Sequence, residues 1–231
     1  MASAMEIKQK NRKNVLRIIY EEKKISKAEI SKRLGLSMPT IAQNLSELFD
    51  KELICINGTF DSTGGRKAKA IGFNAADLVL SSQIHETEIR KVTAKDKGDG
   101  IVRETVPGID ALITDEKGIP LYTSYADCVP LLFYDPEHHV AGMAHSGWRG
   151  TVKKIGAKFV AYMQNEYGSK PENIIAAIGP SICRNCYEVG EEVADAFKKV
   201  FLPEEIPLIM DDKGNGKYQL DLWKVNELIL T

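Results

Sequence analysis

The sequence contains little of what a membrane or secreted protein requires. It has no run of about 18 apolar residues, so we expect no membrane-spanning helix, and residues 1–6 lack the apolar core of a secretory signal. Its four cysteines are too few and too dispersed along 231 residues for a disulfide framework. We therefore expect reduced thiols and a cytoplasmic protein.

Net charge is also small, but the charges are unevenly distributed. Residues 1–76 hold 14 Lys and Arg against 8 Asp and Glu, which gives +6. Residues 77–231 hold 17 against 24, which gives −7, so the whole chain carries −1. This asymmetry predicts two domains with different partners, a basic one over residues 1–76 and an acidic one over residues 77–231.

The basic part shows the pattern of three helices followed by a hairpin. A first helix is predicted over about residues 6–24. Ser26 and Glu29 form a capping box that opens a second helix, Gly35 ends that helix, and Ser37 caps a third. A glycine-rich segment between two short apolar strands follows, which is typical of a wing. The sequence thus predicts a winged helix-turn-helix.

A domain of this kind contacts duplex DNA through two surfaces. Polar side chains on the third helix, opposite its apolar stripe, are expected to reach base edges in the major groove: Thr40, Gln43 and Asn44. Cations of the wing are expected to contact phosphates: Arg66, Lys67 and Lys69. The alternative interpretation is a solvated face on a protein-interaction module.

Residues 6–75 resemble the winged-helix DNA-binding region of ROK-family transcriptional repressors. The motifs that carry the resemblance are Arg17-Ile18-Ile19, Ser26-Lys27-Ala28-Glu29-Ile30-Ser31, Leu36-Ser37-Met38-Pro39-Thr40 and above all Ser62-Thr63-Gly64-Gly65-Arg66-Lys67. In that family a sugar-kinase-like domain follows. Residues 77–231 contain neither its Asp-x-Gly-Gly phosphate loop nor its cysteine-rich zinc motif.

In the acidic part, apolar strands alternate with helices, which predicts an α/β class. Strands are predicted over residues 109–114, 131–134 and 140–143, and helices over residues 151–167 and 189–200. We therefore expect a mixed-sheet α/β sandwich core preceded by the small winged helix-turn-helix domain.

Three side chains at the ends of apolar strands have the chemistry to share a metal ion: His85, Cys128 and His145. Two imidazoles and a thiolate are a common zinc set, and three protein ligands leave one position open for water or substrate. Such an ion lowers the pKa of its water and polarises a substrate oxygen. From spacing alone, a core histidine and a buried cysteine are the alternative.

Cys183 and Cys186 form a single C-x-x-C pair. No second pair is present to complete a structural zinc site, and no thioredoxin-like setting is evident around the two thiols. The sequence therefore assigns this pair neither a metal nor a redox role.

Residues 78–226 resemble the bacterial polyphenol oxidase (laccase-like) family, whose members are described as purine nucleoside phosphorylases. The matching motifs are Leu80-Ser81-Ser82-Gln83-Ile84-His85, Asp110-Ala111-Leu112-Ile113-Thr114, Ala126-Asp127-Cys128-Val129-Pro130, Ala144-His145-Ser146-Gly147-Trp148-Arg149-Gly150, Ile178-Gly179-Pro180-Ser181-Ile182 and Cys186-Tyr187-Glu188-Val189-Gly190.

The resemblance implies that His85, Cys128 and His145 bind zinc and are catalytic. It also implies phosphorolysis of adenosine, inosine and methylthioadenosine, with adenosine deamination as a further activity, so purine nucleosides and phosphate are the expected partners. From charge and the expected helix start at Gly150, we predict that Arg149 contacts phosphate. Asp127 is a candidate for proton transfer by its adjacency to Cys128.

Copper is the alternative metal, and with it a copper-dependent polyphenol oxidase. A multicopper oxidase needs many histidines, whereas this chain has four. A blue-copper site uses two His and one Cys, often with an axial Met such as Met143, but gathers Cys, His and Met on one short loop. The three residues here are spread from His85 to His145, which favours zinc.

Two departures from the family pattern bear on activity. Glu86 stands where family members usually have Gly, which puts a charge beside His85. The family domain also normally begins with several more strands and continues past Trp223 into a Cys-Thr segment and an arginine-rich stretch. We therefore expect an enzyme-like domain that is incomplete at both ends, and the alternative function is a DNA-binding regulator whose enzyme-like domain is inactive.

Overall fold

The chain forms two compact units, Met1–Ala76 and Asp77–Thr231, in the computed structural model. The structure describes residues 4–22, 24–50, 53–60, 68–72 and 77–231. Within this described part, no helix combines the length and the apolar character needed to cross a membrane.

The described residues of the first unit form three helices and a three-stranded antiparallel sheet, as a winged helix-turn-helix requires. The helices are α1 (Ala4–Glu22), α2 (Lys27–Leu34) and α3 (Met38–Asp50), and the strands are β1 (Ile25–Ser26), β2 (Cys55–Thr59) and β3 (Lys69–Gly72), in the order β1-β3-β2. Their apolar faces enclose one core, formed by Val15, Ile19, Ile25, Ile30, Ile41, Leu45, Leu48, Ile54 and Ile71.

The predicted starts of α2 and α3 and the predicted end of α2 are confirmed by their caps, whereas α1 lies about two residues earlier than predicted. The Ser26 hydroxyl accepts a hydrogen bond from the Glu29 amide at 3.2 Å, and the Ser37 hydroxyl accepts one from the Thr40 amide at 3.3 Å. Gly35 ends α2 with a left-handed φ of 61°, a conformation that costs glycine nothing.

The second unit is an α/β domain built on a five-stranded sheet of order β10-β8-β9-β6-β5. Its strands are β4 (Val79–Leu80), β5 (Ile89–Lys91), β6 (Ala111–Thr114), β7 (Leu121–Tyr122), β8 (Val129–Asp135), β9 (Val140–Ser146), β10 (Ile175–Ile178), β11 (Glu188–Gly190), β12 (Met210–Gly214) and β13 (Lys217–Leu220). Its helices are α4 (Trp148–Val152), α5 (Ile155–Tyr167), α6 (Glu191–Lys198), α7 (Ile206–Ile209) and α8 (Leu222–Leu230). The expected α/β class is confirmed.

The sheets of this unit are mixed in direction. In the five-stranded sheet β5 and β6 are parallel, and the other neighbours are antiparallel. A second, antiparallel sheet has the order β11-β13-β12, and β4 pairs with β7 in parallel. Helix α5 packs on the central sheet, where the rings of Phe159 and Phe133 stack with centroids 4.3 Å apart. A Cβ at Gly142 would overlap the Phe159 ring, so the close approach of α5 to β9 requires glycine there.

Two predicted helices differ from the structure. The segment predicted as one helix over residues 151–167 is two, because Lys154 adopts a left-handed φ of 57° between α4 and α5. The first of them begins at Trp148 with Gly147 as its N-cap, so the expected helix start at Gly150 is wrong. The helix predicted over residues 189–200 begins at Glu191, since Val189 pairs with Tyr218 in the second sheet.

Candidate metal centre

The central sheet brings three chemically suited side chains together. Cys128 immediately precedes β8, and His145 lies near the end of the neighbouring strand β9, opposite Pro130. His85 reaches the same point from the loop that follows β4. One ligand atom from each of the three residues lies within 4.8 Å of the others, and the two imidazole rings meet edge to face with centroids 4.7 Å apart.

A buried carboxylate, Asp110, holds both histidines in place. Its Oδ1 lies 2.9 Å from Nδ1 of His145. The same carboxylate accepts hydrogen bonds from the backbone amides of Ile84, His85 and Glu86 at 3.1, 3.0 and 2.9 Å. Because Nδ1 of His145 is engaged in this way, Nε2 is the nitrogen left for an ion. A carboxylate behind a ligand histidine is the usual second partner in metal sites.

The backbone at His85 needs this support. His85 has a φ of 66°, a left-handed conformation that is uncommon for residues other than glycine. Three successive amides bound to one carboxylate fix the turn in this conformation and aim the imidazole at Cys128 and His145. Asp110 was not identified as a site residue from the sequence, although it opens one of the motifs shared with the laccase-like family.

The protonation of the site follows from burial and from these contacts. Burial lowers the pKa of His145, but the hydrogen bond to Asp110 and the nearby Cys128 raise it, and the resulting pKa is about 9. Burial raises the pKa of Asp110, whereas the His145 ring and the three backbone amides outweigh that effect and keep the pKa below its usual value. Asp110 is therefore an ionised acceptor at neutral pH.

A glycine provides the space among the three donor residues. A Cβ added to Gly147 would lie 2.8 Å from Cδ2 of His85, 3.1 Å from Sγ of Cys128 and 3.7 Å from Cε1 of His145. Gly147 thus forms one wall of the cradle between them. Two nitrogen donors, one sulfur donor and a cradle that a single methyl group would fill fit a tetrahedral ion of zinc size with one position open.

Several polar and aromatic side chains lie around this centre. Asp127 and Arg149 are both exposed, and the Arg149 guanidinium lies 4.4 Å from the centroid of the Trp148 ring. Tyr187 lies near them: burial raises its pKa, the charges of Cys128 and Asp127 raise it further, and Arg149 lowers it. The charges of Cys128, Asp127 and Arg149 therefore all act on the Tyr187 hydroxyl, which the sequence did not indicate.

The extra charge at Glu86 is neutralised locally. Its carboxylate forms an ion pair with the ammonium group of Lys153, which follows α4 directly. The Glu86 side chain therefore points to a cation and remains partly exposed, 42 % accessible. The departure from the family pattern does not place an unpaired negative charge against His85.

The residues predicted to touch DNA differ in accessibility. Gln43 and Lys69 are exposed, and Thr40 is half-buried. Asn44 is only 2 % exposed, because its side-chain amide donates a hydrogen bond to the Thr40 carbonyl at 2.8 Å within α3. The expectation that Asn44 reaches a base edge is therefore wrong for this conformation. Arg66 and Lys67 lie outside the described residues.

All four cysteines lie within the described residues, and none of them forms a disulfide. Cys183 and Cys186 are not part of the His85, Cys128 and His145 cluster. His138 and His139 lie in the exposed turn between β8 and β9, where the His138 ring contacts Asp135 at 2.8 Å.

Comparison with known proteins gives two family matches. Residues 63–231 match a family described as multi-copper polyphenol oxidoreductase laccase. Residues 8–54 match winged helix-turn-helix DNA-binding domains.

Among curated proteins, the chain is 43 % identical over 155 residues to the purine nucleoside phosphorylase YlmD of Bacillus subtilis; the match covers 66 % of this chain and 55 % of that protein. It is 34 % identical over 165 residues to the adenosine deaminase RL5 of an unknown prokaryotic organism, covering 71 % and 62 %. The chain thus spans little more than half the length of these relatives.

A solved structure shares the fold of the second unit. The crystal structure of the hypothetical protein YfiH of Bacillus licheniformis is 36 % identical, with a TM-score of 0.65 over 68 % of this chain and 59 % of that one. The α/β fold and the laccase-type match agree, and the chain belongs to the multi-copper polyphenol oxidoreductase laccase family, with a winged helix-turn-helix at its N-terminal side.

Proposed function

We propose that the second unit is a zinc-dependent purine nucleoside phosphorylase. Its substrates are adenosine, inosine and methylthioadenosine together with phosphate, and deamination of adenosine is a further activity. The observation that carries this proposal is the convergence of His85, Cys128 and His145 within 4.8 Å around Gly147. Relatives named purine nucleoside phosphorylase and adenosine deaminase support the choice of substrate class.

We assign each residue of the centre a role that follows from its chemistry. His85, Cys128 and His145 would hold the ion, and Asp110 would keep both histidines oriented toward it. A zinc ion bound there supplies a Lewis acid beside the nucleoside. Arg149, stacked over Trp148, is a cation that can pair with phosphate. Asp127 adjoins Cys128 and is the carboxylate that we assign to proton transfer.

The test is a metal and activity assay on the purified chain. We expect one zinc per chain and release of the base from adenosine only when phosphate is present. Cys128→Ala should lose both the metal and the activity, whereas the matched variant Cys55→Ala, altered in the other unit, should keep both. A zinc-loaded chain that releases no base would contradict the phosphorylase proposal.

The family description also names copper, which makes a polyphenol oxidase the competing function. Zinc is the better choice because the chain has only four histidines, and two of them lie in the exposed turn between β8 and β9. The two functions can be distinguished by loading the chain with copper and supplying a phenol with oxygen. Oxidation of the phenol without phosphorolysis of a nucleoside would replace the phosphorylase proposal with the oxidase.

We further propose that the first unit binds duplex DNA. The match to winged helix-turn-helix domains supports this, as do the net charge of +6 over residues 1–76 and the exposed side chains of Gln43 and Lys69. A chain that binds DNA but lacks turnover would be a regulator whose enzyme-like domain is inactive. Reduced thiols at all four cysteines suit a cytoplasmic protein.

A further inference from the structure

Two cysteines near the metal centre, Cys183 and Cys186, lie close enough to each other to react as a pair. The sulfur atoms of Cys183 and Cys186 lie 3.2 Å apart. Cys186 is exposed and Cys183 is half-buried, so both are within reach of a small reagent. Neither is one of the three residues that converge on the metal centre.

The turn that carries the two thiols is held firmly. The Cys183 carbonyl accepts hydrogen bonds from the amides of Cys186 and Tyr187, at 3.0 and 3.1 Å. Between the cysteines, the Arg184 guanidinium binds both carboxylate oxygens of Asp211 at 2.9 and 2.8 Å. The backbone therefore keeps the sulfurs adjacent without a covalent bond between them.

We propose that Cys183 and Cys186 are a thiol–disulfide exchange site that closes into a reversible intramolecular disulfide on reaction with a low-molecular-weight disulfide. A disulfide needs its sulfurs about 2.05 Å apart, so the pair has to close by roughly 1 Å. Side-chain rotation supplies that movement. The ligand class is a small organic disulfide, and the probe is glutathione disulfide.

The exchange proceeds in two steps. The Cys183 thiolate attacks one sulfur of the small disulfide, whose S–S bond breaks and releases one small thiolate. The Cys186 thiolate then attacks Sγ of Cys183 in the mixed disulfide and releases the second. The two protein thiols are oxidised, the small disulfide is reduced to two thiols, and the two protons lost by the cysteines end on those thiols.

The order of attack follows from the surroundings of each sulfur. The nearby Cys186 thiol is the main cause that lowers the pKa of Cys183, and the backbone amides of Asn185 and Cys186 lower it further. None of these amides makes a capping hydrogen bond of ordinary geometry to the Cys183 side chain. Cys183 in turn raises the pKa of Cys186. Cys183 therefore supplies the first thiolate, and Cys186 resolves the mixed disulfide.

The position of the pair dictates how the product must be identified. The Ile182 amide donates a hydrogen bond to the Asp127 carbonyl at 3.0 Å, so the thiol loop adjoins the loop that carries Cys128. A loss of thiols alone would not say which cysteines had joined. The linked residues have to be mapped on peptides.

The experiment treats the full, zinc-loaded chain with glutathione disulfide, blocks the remaining thiols with an alkylating agent, and measures intact mass and peptides. We expect a mass lower by two hydrogens before alkylation, the loss of two alkylatable thiols, a peptide joining Cys183 to Cys186, and full recovery with dithiothreitol. Cys186→Ser should stop at a glutathione adduct on Cys183. Cys55→Ser is the matched control and should close as the unaltered chain does.

Three results on the unaltered chain would overturn the proposal. These are retention of all four alkylatable thiols, stable glutathione adducts without ring closure, and a disulfide that includes Cys128. Since the unaltered chain gives the answer, a serine variant that fails to fold does not affect it. The result is also independent of whether the chain releases base from nucleosides.

Discussion

Asp110 contacts both histidines of the centre through one carboxylate, His145 by its ring and His85 by its backbone. Asp110→Asn replaces one acceptor oxygen with an NH2 group that faces N–H donors. We expect the dissociation constant for zinc to rise about 10- to 100-fold. The free energy of unfolding should fall by about 1–3 kcal/mol, because buried donors lose their partner.

Chelator competition measures the first effect and urea unfolding the second. The matched control is Asp195→Asn, which alters a half-exposed carboxylate on α6. Unchanged zinc affinity in Asp110→Asn would show that His145 and His85 hold their orientation without this carboxylate.

A substitution at Gly147 tests whether this glycine provides the space for the metal ion. In Gly147→Ala the new methyl group would stand 2.8 Å from the His85 ring and 3.1 Å from the Cys128 sulfur. We expect zinc affinity to drop at least as far as in Asp110→Asn, because the donors themselves are displaced. Isothermal titration with zinc measures it.

Gly190→Ala is the matched control, since a Cβ at Gly190 meets nothing within 4 Å and its φ of −85° suits alanine. If Gly147→Ala binds zinc as tightly as Gly190→Ala does, Gly147 is not a wall of the site.

The sequence was informative about the donors and much less so about what surrounds them. His85, Cys128 and His145 stand out because each lies beside an apolar segment of the sequence, although Cys128 precedes a strand in the structure rather than ending one. Asp110 and Gly147 act through contacts that depend on strand register and loop shape, which spacing does not reveal. Asn44 was misplaced because a helical asparagine can bond its own backbone four residues earlier.

The hairpin of β8 and β9 contains His145, directly follows Cys128, and has a buried carboxylate, Asp135, beside its turn. Burial raises the pKa of Asp135, but the His138 ring and the amides of Glu137 and His138 outweigh it, and the pKa falls to about 2. The Ser169 hydroxyl contributes as well, although it makes no hydrogen bond of ordinary geometry.

The ionised Asp135 therefore stabilises the folded chain fully above pH about 4, and this contribution disappears as the pH falls through about 2. We expect Asp135→Asn to lower the free energy of unfolding by about 1–3 kcal/mol at pH 7. Its deficit against the unaltered chain should shrink toward pH 2. Urea unfolding across this pH range measures it.

Asp115→Asn, which alters an exposed residue after β6, serves as the control and should show no such convergence. A deficit in Asp135→Asn that stays constant down to pH 2 would mean that the native carboxylate is not held ionised by the turn.

At the scale of elements, the sequence predicted helix ends that carry a capping residue, but it did not predict the break within a helix or a strand without apolar residues. Ser26, Gly35 and Ser37 marked the ends of α2 and α3 because capping is a local interaction. The break at Lys154 leaves no local signal, because nothing about a lysine marks it for the left-handed conformation that it adopts there. Strand β12 was missed because its exposed, charged residues, Asp211 to Lys213, show no apolar alternation.

Because the whole molecule has two units, we expect DNA binding and metal-dependent catalysis to be separable. The full chain should bind duplex DNA with an affinity that falls as salt rises, because Lys and Arg displace counterions from phosphates. Lys69→Ala should reduce the slope of log affinity against log salt by about 1. Fluorescence anisotropy with a labelled duplex measures this slope.

Lys170→Ala, an exposed lysine of the second unit, is the matched control and should leave the slope unchanged. Lys69→Ala should also keep its zinc. Equal slopes in the two variants would remove Lys69 from the DNA surface.

The donors of the metal centre come from a loop, a strand start and a strand end that are remote along the chain. An unfolded polypeptide does not hold them together, so zinc would bind the native state in preference. Free zinc should then raise the melting temperature of the second unit. Beyond the dissociation constant, each tenfold increase in zinc adds about 1.4 kcal/mol of native-state stability.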